Sequence, residues 1–102
     1  MTKEISILFR GDMKDAVLQG DKTCTSRNKK YGEPGDYFYI DGYRFILVGV
    51  TKQYLNTIAS ARYKQEGCDS PEAFMDAWAE LHPRNGWEPH KQVWLHEFEE
   101  EL

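Results

Sequence analysis

The chain has 102 residues, 40% hydrophobic and 14% aromatic, which supports one core and is too short for two ordinary domains. It carries 13 basic and 17 acidic residues, a net charge of −4. Four of the acids, Glu97, Glu99, Glu100 and Glu101, crowd the C-terminal end and leave the rest balanced at 13 against 13, a poor electrostatic footprint for gripping a long phosphate backbone. No apolar run approaches the roughly 20 residues needed to cross a bilayer, and Met1-Thr2-Lys3-Glu4-Ile5 carries no secretory pattern. The expectation is therefore a single cytoplasmic domain over 1–102, away from membranes, with residues 99–102 as an acidic tail. Cys24 and Cys68 lie far apart and form no CxxC pair, which favours free thiols over a disulfide.

Ile5-Ser6-Ile7-Leu8-Phe9 reads as a first strand, rich in β-branched and aromatic residues. Asp12 is a candidate N-cap for a helix through Gln19, with Met13, Ala16 and Val17 at helical spacing and Gly20 as its C-cap. After Gly20 the chain enters an extended segment at Thr23, and the turn formers Tyr31-Gly32-Glu33-Pro34-Gly35-Asp36 make a loop. Tyr37–Ile40 and Arg44–Thr51 flank Asp41-Gly42, a strong hairpin signal. The second of these strands is almost continuously apolar, as for a central strand buried on both faces, and Gly49 inside it suggests a bulge. Asn56-Thr57 would cap a helix from Ile58 to Glu66, ended by Gly67. Ser70-Pro71 opens another helix, with Phe74, Ala77, Trp78 and Leu81 along one face and Pro83 as its stop. Gln92–Phe98 is the last strand, and the order fits an α+β chain forming a small, partly open β-barrel of five or six strands flanked by two or three helices. A ferredoxin-like sandwich is the main alternative.

For chemistry, the distinctive stretch is Gly20-Asp21-Lys22-Thr23-Cys24-Thr25-Ser26-Arg27. Alternation along a strand puts Thr23, Thr25 and Arg27 on one face and Cys24 and Ser26 on the other. Lys22 can fold back over Thr25, so an amine, a hydroxyl and a guanidinium share one patch. Threonine becomes nucleophilic only when a neighbouring base takes its proton, and an amine can be that base in a suitable setting. Arg27 could hold an oxyanion. Glu66 could supply the carboxylate that such chemistry needs, against the simpler reading of an exposed helical glutamate. Lys22, Arg27, Lys29 and Lys30 form a local basic run with no acid among them, suited to a nucleoside, a nucleotide or a short RNA. His82, His90 and His96 stand at spacings unlike metal-ligand pairs, and neither GxGxxG nor GxxxxGK[ST] occurs. No metal and no cofactor is expected.

Gly20-x-Lys22-x-x-Thr25-x-Arg27, followed by Pro34-Gly35-Asp36 and an apolar strand, resembles the signature of ASCH-domain proteins, which are small PUA-like barrels. The resemblance covers essentially the whole chain and lies with the short, single-domain branch that includes the bacterial N4-acetylcytidine amidohydrolases. It implies a hydrolase that removes acetate from the exocyclic nitrogen of acetylated cytidine. Lys22 would then be the base, Thr25 the nucleophile and Glu66 a proton-transfer group. Arg27 and Lys29 are the expected substrate contacts, with Trp87 available to stack a base. The competing reading is an RNA-binding ASCH module, or a ribonuclease of the same class, that uses the Lys22–Lys30 patch. The partner is a small nucleoside in the first case and a short RNA in the second, bound by a monomer or a dimer.

Overall fold

A computed structural model describes residues 1–102. Its elements run in the order α1 (Gly11–Gln19), β1 (Cys24–Arg27), β2 (Tyr37–Ile40), β3 (Tyr43–Tyr54), α2 (Leu55–Arg62), α3 (Pro71–Leu81) and β4 (Gln92–Glu100). The four strands make one antiparallel sheet in the order β1-β4-β3-β2. It curls into a half-barrel that carries the three helices, the expected α+β architecture.

The count is four strands because Ile5–Phe9 is not one of them. This segment makes a single parallel bridge, Glu4 to Tyr37, with Ile5 N–H donating to Tyr37 O at 2.8 Å. Ile7 is buried as a strand residue would be, but Leu8 O is taken by the Arg27 side chain rather than by a neighbouring strand. The segment is anchored instead by Asp36, which accepts from Lys3 N–H at 3.0 Å and from Glu33 N–H at 2.8 Å. Those amides hold its carboxyl below the usual range.

Two helix starts also differ from expectation. Arg10 occupies the N-cap position of α1, and Asp12 lies in the first turn, where its charge complements the helix dipole. α2 begins at Leu55 because β3 continues through Tyr54, paired with Gln92. The first amides of α2 then donate to Lys91 O and Pro89 O, so no Asn56 or Thr57 cap is needed. Ser70 caps α3 as read, its hydroxyl accepting from Ala73 N–H at 3.0 Å.

Asp41 and Gly42 both take positive φ in the β2–β3 turn, at 50° and 85°, matching the right-handed twist of the strands. The register of β3 against β4 shifts between Leu47 and Gly49, a bulge as Gly49 suggested. β3 lies inside the sheet, yet only Phe45 and Leu47 are fully buried and Val48 is 50% exposed. Glu99 and Glu100 belong to β4 and pair with Ile46 and Phe45, so the acidic end is largely strand rather than tail.

Two core clusters result. One gathers Cys24, Leu55, Ile58, Phe74, Trp78 and Leu95 between the sheet and α2–α3. The other joins Ile7 and Val17 to Phe38, Phe45 and Phe98, with Phe38 stacked on Phe45 at 5.6 Å and edge-on to Phe98 at 5.4 Å. Full burial of one such side chain contributes about 1.5–3 kcal/mol. Cys24 and Cys68 are both free thiols, and burial pushes the Cys24 thiol far above its ordinary pKa.

Candidate active site

The site begins where α1 stops. Gly20 closes the helix at φ 84°, and the amides of Asp21 and Lys22 both donate to Ala16 O. Thr23 and Cys24 N–H then both donate to Gln65 O, and Lys22 faces Glu66 in an isolated antiparallel bridge. On the other side of that bridge, Gly67 turns the chain at φ +87°. A Cβ on Gly67 would stand 3.2 Å from the Lys22 Cβ, so glycine is needed both for the angle and for the close approach.

The Lys22 ammonium donates to Glu66 Oε1 at 2.9 Å and to Glu66 O at 2.8 Å. The two residues are 4% and 3% exposed. Ser26 Oγ donates to the other carboxylate oxygen, Oε2. A buried carboxylate is thus held by a cation on one side and a hydroxyl on the other, the compensation that burial of charge requires. The chain around Gln65–Glu66 lies alongside the entrance to β1. Glu66 therefore comes in across the strand edge, and Ser26, expected to point away from the site, reaches it.

Thr25 is equally buried, and its Oγ1 accepts from Arg27 Nε at 3.1 Å. Behind it stands His96, wholly buried on β4. Tyr31 N–H donates to His96 Nε2 at 3.0 Å, so that nitrogen is an acceptor, and Nδ1–H can donate to Thr25 O at 3.3 Å. Burial holds the His96 pKa below its ordinary value. Arg27 donates through Nη2 to Leu8 O at 2.8 Å and lies 5.1 Å from the Phe9 ring centroid and 5.7 Å from that of Tyr31. Desolvation lowers the Arg27 pKa as well.

These groups open onto a cavity of about 470 Å³ lined by Lys22, Thr25, Ser26, Arg27, Lys29 and Glu66, with Phe9, Met13, Phe74, Trp78 and Leu81 among its apolar walls. Of the residues singled out in the sequence, Lys22, Thr25, Glu66, Arg27 and Lys29 meet in this one cavity. Trp87 does not line it, but packs edge-on against Phe74 at 6.0 Å beside the first core cluster. Ser26 and His96 were missed as partners. No local sequence signal marks them, because each owes its place to a residue at least 40 positions away. No group of three or more His, Cys, Asp and Glu side chains is arranged to hold a metal. A hydroxyl, an ammonium and a carboxylate thus line one half-apolar cavity.

No family model matches the chain, and no curated protein matches it. Solved structures do. An ASCH domain from Lactobacillus crispatus JV V101 aligns with a TM-score of 0.68 and 13% identity, over 97% of this chain and 79% of its own. Hypothetical protein PH0355 aligns with a TM-score of 0.69 and 14% identity, over 99% of this chain and 100% of its own. Protein EF3133 from Enterococcus faecalis V583, of the DUF984 family, aligns with a TM-score of 0.67 and 16% identity, over 99% and 76%. At such identities the likeness is one of fold.

Proposed function

We propose that this chain, whose fold is ASCH-like, hydrolyses the amide of an N4-acylated cytidine. The observation that carries this reading is the buried Lys22–Glu66 pair at 2.9 Å, set in the same cavity as the Thr25 hydroxyl. Moving one proton along that hydrogen bond turns the ammonium–carboxylate pair into an amine and a carboxylic acid, a base and an acid side by side. The amine then takes the Thr25 proton as Oγ1 adds to the acetyl carbonyl. Arg27, whose Nε donates to Thr25 Oγ1 at 3.1 Å, holds that oxygen in position for the attack. The carbon–nitrogen bond breaks as Glu66 gives its proton to the departing cytidine amine, leaving an acetyl ester on Thr25. Water, activated by the same pair, releases acetate and restores the hydroxyl.

The test is incubation of the purified protein with N4-acetylcytidine, following cytidine and acetate by chromatography. Lys22→Ala should lose at least about 10³-fold in kcat, the scale of removing both a base and its partner's proton. No turnover by the wild type, or full turnover by Lys22→Ala, overturns the reading.

A second reading, a short-RNA-binding module, draws on the sheet face beside the cavity. There Arg27, Trp94 and Lys52 are aligned across β1, β4 and β3, and Lys30 Nζ lies 5.1 Å from the Trp94 ring centroid. It requires salt-sensitive RNA affinity that falls when Arg27→Ala and Lys29→Ala are combined. Flat binding curves at low salt remove it.

A further inference from the structure

The charges around the cavity are not balanced. Arg10 pairs with Asp12 and Glu80, both at 3.4 Å, and Lys22 pairs with Glu66. Arg27 and Lys29 also line the cavity, but neither is within ion-pair distance of any carboxylate in the molecule. Arg27 is half-buried, and its partners are neutral: the Leu8 carbonyl, the Thr25 hydroxyl and two aromatic rings. Lys29 Nζ lies 5.0 Å from the centroid of Tyr31, the same ring that Arg27 overlies. Two cations are therefore gathered at one aromatic residue, Arg27 half-buried and Lys29 exposed at the rim, in a chain whose net charge is −4. Withdrawing a guanidinium from water without a counter-ion is unfavourable, and a second cation nearby adds repulsion. An anion placed between them would remove both penalties.

We infer that Arg27 and Lys29 form a phosphate subsite, so that the substrate is the 5′-monophosphate of an acylated cytidine rather than the free nucleoside. This rests on the amide-hydrolase reading for the other end of the ligand. A phosphate monoester offers up to two negative charges to two cations, and a guanidinium presents the planar donor pair that phosphate oxygens accept. A mononucleotide also suits a body that is otherwise neutral, which gives a longer polyanion few further contacts.

The experiment titrates the full chain calorimetrically with cytidine, cytidine 5′-monophosphate and inorganic phosphate, at about 50 mM and about 300 mM salt, where screening of exposed charges differs strongly. The same protein is assayed with N4-acetylcytidine and its 5′-monophosphate. The monophosphate should bind at least 10-fold tighter than cytidine, with the advantage shrinking at high salt and largely lost in Lys29→Ala. Lys29 is exposed, so that variant keeps the test valid even where Arg27→Ala fails to fold. Equal affinities for the two ligands overturn the subsite, even with both acetylated compounds hydrolysed. Tighter monophosphate binding with neither compound hydrolysed upholds the subsite and overturns the amidase reading alone. An Arg27→Ala or Lys29→Ala effect on kcat that leaves the affinity ratio unchanged would make these residues oxyanion stabilisers and also overturn it. So would a short oligonucleotide that binds far more tightly than the monophosphate.

Discussion

At Glu66 both carboxylate oxygens are committed, one to Lys22 and one to Ser26, which separates the roles of the two partners. Removing the Lys22 charge with Lys22→Met strands a buried carboxylate, and a cost of about 3–5 kcal/mol in urea denaturation is expected. Ser26→Ala removes one neutral donor and should cost about 1–3 kcal/mol. It should also reduce kcat more than it raises KM, because the loosened carboxylate is misaimed while the binding walls remain. Ser26→Thr, which keeps the hydroxyl, should recover most of that loss, and a Ser26→Ala enzyme with unchanged kcat would remove Ser26 from the mechanism. His96 gives the molecule a pH dependence of definite sign. Its folded pKa is held below the ordinary value, so the unfolded chain takes up a proton first as the pH falls. Stability from this residue is complete above about pH 6.5 and is lost progressively below it. Melting temperatures between pH 7 and pH 5 should therefore fall, and His96→Gln should flatten that part of the profile. At this scale Lys22, Thr25 and Arg27 were legible because they share one short motif. Ser26 was not, since face alternation describes a strand approached from above or below, and Glu66 comes in at the edge.

The elements were read most accurately where a turn or cap is chemically committed. Asp41-Gly42, Gly20 and Ser70-Pro71 each leave the backbone few choices, and each stands where the sequence placed it. Ser70→Ala should cost about 1 kcal/mol by leaving the Ala73 amide unsatisfied, with little effect on turnover because α3 keeps its packing on the sheet. The misread start of α2 has a clear cause: its first amides are satisfied by the Lys91 and Pro89 carbonyls, tertiary neighbours that a local pattern does not contain. Ile5–Phe9 failed as a strand for a related reason: Ile7 enters the core while the Leu8 carbonyl serves an arginine distant in sequence. Gly67 is the position where element and site meet. Gly67→Ala would strain a backbone at φ +87° and press a methyl toward Lys22. It should lower stability by about 1 kcal/mol or more and reduce turnover as well, whereas Gly42→Ala, in open space at φ +85°, should affect stability alone.

At the scale of the whole chain, the sheet order β1-β4-β3-β2 places the site strand at an edge of the sheet. β1 has four residues, and β4 is its only partner strand. Fold class and helix count could be read from the alternation of patterns along the sequence, but not this order, because pairing between residues 24–27 and 94–97 leaves no local trace. The order also sets a timetable. A ribosome makes roughly 5–20 residues each second, and for all the time between Arg27 and Gln92 the site strand has no strand to join. Lys22 can meet Glu66 early, but Thr25 and Ser26 are fixed only once Gln92–Glu100 has emerged and slotted between β1 and β3. A nascent chain arrested before β4 should have its α1 and its β2–β3 hairpin and yet no formed cavity, so the site should assemble in one step, when Gln92–Glu100 becomes free to pair.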